Sequence, residues 1–161
     1  MVGSQSILGS YSEDELPSDA TRSIEADVAF LDDSDESKSD LVDGGIGEAS
    51  HFHETFGVYG QGVGISTAIL PTGWQERLVV FDDPETRPSE ALCLDPHDLV
   101  VSKLVAGREK DYAFARALLG AGLIQANVLC ARAELLPGIP AIRSRVTSWL
   151  KGAQRCGVHK P

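Results

Sequence analysis

The sequence predicts an α+β (α/β) fold in one domain, residues 1–161. A small mixed sheet falls within 1–94, a helical region over 95–151, and a tail over 152–161. Three observations carry this reading. Residues 22–30, RSIEADVAF, alternate polar and apolar side chains as a half-buried strand does. Asp95-Pro96 supplies the cap and first-turn proline of a helix start. From Ala113 onward apolar residues recur at helical spacing. A chain of 161 residues suffices for one core and is too short for two ordinary domains.

Only Met1 and Val2 precede the first turn signal, Gly3-Ser4, so the expectation is a first strand that is a stub or a chain whose true start lies upstream. Ser4 and the following Ile7-Leu8 read as a turn entering a short helix. Such a turn can offer backbone N–H groups and a hydroxyl to a phosphate, or can be an ordinary cap. Residues 11–21 are polar and read as a loop. In the strand that follows, Ile24, Ala26, Val28 and Phe30 share one face, and Glu25 and Asp27 share the other. Two like charges about 7 Å apart on one sheet face suit a cation between them, and equally suit a solvated edge.

Residues 32–40 are too charged to pack and read as a mobile loop, without the glycine and terminal glutamate of an EF-hand. Residues 44–56 suggest a short helix on which His51 and His53 fall on opposite sides, so they cannot share a metal there. The glycine-rich run 57–65 departs from Gly-x-Gly-x-x-Gly, with Ile65 where the third glycine is needed, and is expected to be a bent strand or turn. Residues 67–70 and 77–81 read as two strands joined antiparallel through the turn Pro71–Trp74. Asp82 and Asp83 close the second as candidates for a further carboxylate, or as a turn before Pro84.

In the helix from Pro96, Lys103 lies at i+4 from Leu99 and i+3 from Val100, so it emerges from the apolar face. A lysine there either snorkels to water or meets an anion. Gly107 ends this helix. Another starts near Glu109, with Asp111 in its first turn as a dipole-complementing charge or a site residue. Further helices follow over 128–136 and 142–150, separated by Pro137-Gly138-Ile139-Pro140, and the chain after Lys151 is expected to fray.

The net charge of −10 is unevenly spread: residues 1–102 hold 21 acids and 4 bases, and residues 103–161 hold 3 acids and 10 bases. The basic part, with Arg132, Arg143, Arg145, Lys151, Arg155 and Lys160, can face a polyanion, or can neutralise the acidic part across the fold. Cys93, Cys130 and Cys156 are odd in number and widely spaced, as reduced thiols are. No segment has the ~18 consecutive apolar residues of a membrane span, and a basic-then-apolar leader is missing from the first residues. The expected location is the cytoplasm.

Taken in order, the Gly3-Ser4 turn, the Glu25-x-Asp27 strand and the segment 102–111, SKLVAGREKD, resemble the minimal nucleotidyltransferase superfamily. Within it they are most similar to the AbiEii-like branch of toxin-antitoxin and abortive-infection proteins. The likeness runs over residues 2–124. It implies a nucleotidyltransferase-type sheet and transfer of an NMP from an NTP to an acceptor hydroxyl. It further implies that Glu25 and Asp27 hold Mg²⁺, and that Gly3 and Ser4 cradle the β/γ-phosphates together with Lys103. Arg108, Lys110 and Asp111 match the segment that orients nucleotide or acceptor. Proteins similar to this one include toxins that attach nucleotides to tRNA or otherwise inactivate RNA or protein targets, silenced by a cognate antitoxin protein. The chain departs from the family in carrying Glu25 where Asp-x-Asp is usual, and no third carboxylate is assigned. A catalytically degenerate binding module is the alternative.

Overall fold

The structure is a computed structural model that describes residues 1–33, 35–82, 84, 87 and 90–157, with side chains through residue 153. Among them the strands are β1 (Glu25–Val28), β2 (Tyr59–Gly62), β3 (Val79–Phe81) and β4 (Ala91–Cys93). The helices are α1 (Ser37–Ile46), α2 (His51–Phe56), α3 (Pro96–Ala106), α4 (Glu109–Gly120), α5 (Ala126–Glu134) and α6 (Pro140–Gly157). The fold is α+β, as the sequence predicts.

β1 and β2 pair in parallel, with Asp27 opposite Gln61, and the crossover that a parallel pair requires is supplied by α1 and α2. β3 and β4 pair antiparallel. Residues 1 and 2 connect the two pairs: the Val2 N–H donates to the Asp27 carbonyl at 3.0 Å, and the Met1 amino group donates to the Leu92 carbonyl. The side chains of β1 divide as the alternation requires. Ile24, Ala26 and Val28 line an apolar cavity of about 550 Å³ on one side of the strand, and Asp27 points to the other.

Three expectations are corrected. Residues 32–40 do not form a loop throughout. Asp33 accepts hydrogen bonds from the Lys38 and Ser39 N–H groups (2.9 and 2.8 Å) and from the Ser39 hydroxyl (2.8 Å), which starts α1 at Ser37. A charged stretch poor in apolar residues is thus held by capping carboxylates, Asp33 and, through the Ser37 N–H and hydroxyl, Asp35. The helix expected over 44–56 is two helices broken at residues 47–50. The partner of β3 is β4, not residues 67–70, where only a 3₁₀ turn over Ile65–Thr67 forms.

The glycine-rich run is explained by packing. A Cβ on Gly62 would fall 2.1 Å from the Ser39 carbonyl oxygen, and one on Gly60 2.6 Å from the Ile46 side chain. These glycines let α1 lie directly on β2, and no cofactor loop is present there.

α3 is the central helix. Asp95 accepts from the His97 and Asp98 N–H groups at its start, and Gly107, at φ +70°, ends it. Leu99, Val100, Val101 and Leu104 are fully buried, with Leu118, Leu129, Leu136 and Leu150 around them. Each such side chain contributes roughly 1.5–3 kcal/mol by leaving water. Asp98, which the sequence marks only as a first-turn acid, is buried between Arg77 (2.7 Å) and Arg132 (3.4 Å). α6 runs on to Gly157, past the point where fraying was expected. Among the described residues no helix is long and apolar enough to cross a membrane.

Candidate functional site

The carboxylate face of β1 looks toward the C-terminal half of α3 and the start of α4. Gly3 is the residue that allows this approach, since a Cβ there would lie 1.6 Å from Asp27 Oδ2. The chain from Gly3 enters a 3₁₀ turn over Ser4–Gly9. The buried Ser6 ties this turn to the entrance of α3, its hydroxyl accepting from the Leu94 N–H at 2.6 Å. The glycine-serine turn, the acidic strand and the lysine helix are therefore locked to one another by short contacts.

Lys103 does not snorkel to water. Its side chain is 11% exposed, its Nζ is 3.8 Å from Asp111 Oδ1, and it sits 5.1 Å from the centre of the Phe114 ring. Burial pushes the Lys103 ammonium below its ordinary pKa, an effect that Asp111 only partly opposes. Asp111 is itself buried and accepts from Arg108 three times: from Nε at 2.8 Å, from Nη2 at 3.2 Å and from the backbone N–H at 3.0 Å. Burial alone would raise the Asp111 carboxyl, but these bonds and Lys103 outweigh it and hold the pKa below the usual value. Arg108 is in turn raised by its bond to Asp111.

Glu25 and Asp27 are the reverse case. Desolvation raises both, and for Glu25 the Asp27 charge adds to the shift. Lys103, Arg108 and Lys110 pull Asp27 back, and Lys110 and Arg108 do so for Glu25. Among the described residues neither carboxylate is within ion-pair distance of a cation, and neither accepts a side-chain hydrogen bond. The donor set, two uncommitted hard oxygen ligands beside a cationic rim, fits one Mg²⁺, which uses one or two carboxylates and completes its shell with phosphate and water. No cluster of three metal-ligating side chains occurs among the described residues. Of the further carboxylates considered, Asp82 is committed to Arg87 (3.0 and 2.8 Å), and Asp83 lies outside the described residues.

Two cavities meet at Lys103. One of about 350 Å³ is lined by Gly3, Asp27, Lys103 and Arg108 together with aliphatic side chains. The other, about 210 Å³, is lined by Ser4, Arg22, Lys103, Lys110 and Asp111 among others. The residues singled out by sequence thus gather on one side of the molecule, except that Glu25 lines neither cavity and joins them only through its charge.

The basic third is less free than its sequence suggests. Arg132 is paired with Asp98, while Arg143 and Arg145 donate to the carbonyls of Leu136 and Val105. Lys151 is exposed, and the side chains of Arg155 and Lys160 lie outside the described residues. Sequence reasoning missed the aliphatic wall of the larger cavity, Val63, Ile69 and Ile142, because it brings residues 63–69 against residue 142, far along the chain, and has no local signature.

A family model described as "Nucleotidyltransferase of unknown function (DUF6036)" matches residues 1–134. No curated protein and no solved structure matches the chain.

Proposed function

Because the chain belongs to this nucleotidyltransferase family, we propose that it transfers an NMP from an NTP to an acceptor hydroxyl. The observation that carries the reading is the pair of uncommitted carboxylates on β1 facing Lys103, Arg108 and Lys110. The acceptor oxygen bonds to the α-phosphorus, the bond to the β-phosphate breaks, pyrophosphate leaves, and the hydroxyl proton is lost to water. Glu25 and Asp27 would hold Mg²⁺, whose chemistry when bound is neutralisation of phosphate charge and alignment of the attacking hydroxyl. Gly3 keeps the backbone close to the site, and Ser4 offers a hydroxyl to the outer phosphates. Lys103 provides a fixed positive charge, and an incoming polyphosphate repays its burial. Asp111 holds Arg108 and Lys103 in place.

In keeping with the resemblance to the AbiEii-like branch, the acceptor on this reading is an RNA hydroxyl, tRNA being the first to test. The protein would then act as a toxin held in check by a partner antitoxin. The excess of base over acid after residue 103 supports a polyanionic acceptor in sign.

A second reading, a binding module that has lost catalysis, is favoured by the lack of a third carboxylate among the described residues. Incubation with each labelled NTP, Mg²⁺ and total tRNA separates the two. Label on RNA that Asp27→Ala eliminates supports transfer. An NTP- and Mg²⁺-dependent thermal shift with no label transferred to any acceptor supports the binding module.

A further inference from the structure

The family match ends at residue 134, yet the larger cavity has a wall from beyond it. Ile142, in the first turn of α6, lines that cavity along with Asp27 and Lys103, and so do Val63, Ile69 and Val105. The position of Ile142 is fixed by its helix. Val146 and Leu150 are buried in the core, and the Arg145 guanidinium donates to the carbonyls of Leu104 and Val105 at the end of the lysine helix. A shift of α6 would therefore have to break bonds to the same helix that carries Lys103.

The two cavities that share Lys103 differ in chemistry. The smaller carries the cations Arg22, Lys103 and Lys110 and the Ser4 hydroxyl beside the carboxylates of Asp19 and Asp111 and the Phe114 ring, and its excess of cations suits phosphate groups. The larger offers aliphatic walls with a charged end at Asp27 and Arg108 and the Ser102 hydroxyl alongside. Its 350 Å³ falls in the ~300–1,000 Å³ range of small-molecule sites, in which apolar walls hold the body of a ligand and a few polar groups orient it. A nucleoside has that character: a flat base with apolar faces, polar edges, and a sugar leading to charge.

Resting on the nucleotidyltransferase reading, we propose that α6, through Ile142, closes a nucleoside subsite against Val63 and Ile69, and that the phosphates run past Lys103 into the smaller cavity. The selectivity of this chain for its nucleotide then resides partly in a helix beyond the residues that the family model matches.

The test is titration calorimetry of the full chain with each NTP and with inorganic tripolyphosphate, in Mg²⁺. Wild type is expected to bind at least one NTP more tightly than tripolyphosphate. Ile142→Trp, which fills the cavity, is expected to weaken that NTP roughly tenfold or more, the scale of a lost or blocked apolar contact, and to leave tripolyphosphate within about twofold. Ile69→Trp, at a position outside helix and strand, is expected to do the same and serves if the first variant does not fold. Equal wild-type affinity for NTP and tripolyphosphate, or no loss of NTP in folded tryptophan variants, or equal loss of both ligands, overturns the subsite while leaving nucleotide use intact. Binding of neither ligand by wild type overturns the nucleotidyltransferase reading itself, and the subsite with it.

Discussion

Two charge clusters of this protein use the same residue types to opposite effect. Around Asp98, Arg77 donates to the buried carboxylate at 2.7 Å and Arg132 pairs with its charge at 3.4 Å. Facing β1, Glu25 and Asp27 lie among Lys103, Arg108 and Lys110, yet no cation closes to ion-pair distance, and both acids are raised by desolvation. The first cluster joins the turn before β3, the start of α3 and the last turn of α5, and its charges are paired within the fold. The second retains two carboxylates and the Lys110 ammonium without an ion pair among the described residues, while Lys103 and Arg108 share Asp111, and this leaves room for a metal and a polyanion to complete it. Burial and pairing together tell these clusters apart: Asp98 is fully buried and paired, and the acids of β1 are half-buried with no ion pair among the described residues.

The sharpest way to break this contrast is to remove one acid from each. Asp27→Ala is expected to lower nucleotide transfer to background in the labelled-NTP assay while the circular dichroism spectrum is kept. Full activity would remove Asp27 from the site. Asp98→Ala is expected to act on the fold instead, with a loss of about 3–5 kcal/mol in urea unfolding, the usual cost of stranding buried partners of a broken ion pair. A loss below about 1 kcal/mol, the scale of exposed pairs, would show that the triad is ornamental. Between these lies Gly3→Ala. With a Cβ 1.6 Å from Asp27 Oδ2, either the turn or the carboxylate must move, so a stability loss of about 1–3 kcal/mol should accompany reduced transfer. Unchanged transfer would mean that the position of Asp27 is not constrained by the turn.

How much of this was legible in the sequence depended on the distance over which each feature is decided. The α3 start at Asp95-Pro96, its stop at Gly107 and the α4 start are settled by local capping chemistry, and they appear where expected. The Glu25/Asp27 face follows from the period of two in a strand. Lys103 was marked by its place on an apolar face, because a cation there must find an anion; the structure shows that anion to be Asp111. The main failures are non-local or rest on side-chain caps. Nothing beside Val79–Phe81 shows that its partner is Ala91–Cys93, and an acidic run becomes a helix start through the carboxylates of Asp33 and Asp35. The Asp98 triad draws arginines from residues 77 and 132, and the wall at Ile142 comes from another helix, so no window of sequence contains either.

The smallest expected effect gives the contrast a signature in pH. A carboxylate whose folded pKa is raised costs the fold stability while it is ionised. That cost is fully present above the folded pKa and disappears below the ordinary value of 3.8 for Asp27. Asp27→Asn removes it, so this variant, expected to lose transfer, should be more stable than wild type at neutral pH by on the order of 1 kcal/mol, as site residues often are when released from function. The advantage should shrink as pH falls from the raised folded pKa toward 3.8. Asp111, held low by Arg108 and Lys103, has the opposite sign: its contribution is full above its ordinary value and is lost as pH falls through the depressed folded pKa. Asp111→Asn should therefore destabilise at neutral pH and converge on wild type only in stronger acid. Urea midpoints of the three proteins between neutral and acid pH measure both trends. If Asp27→Asn were the less stable protein at pH 7, the carboxylates on β1 would be structural after all, and the two clusters would be alike.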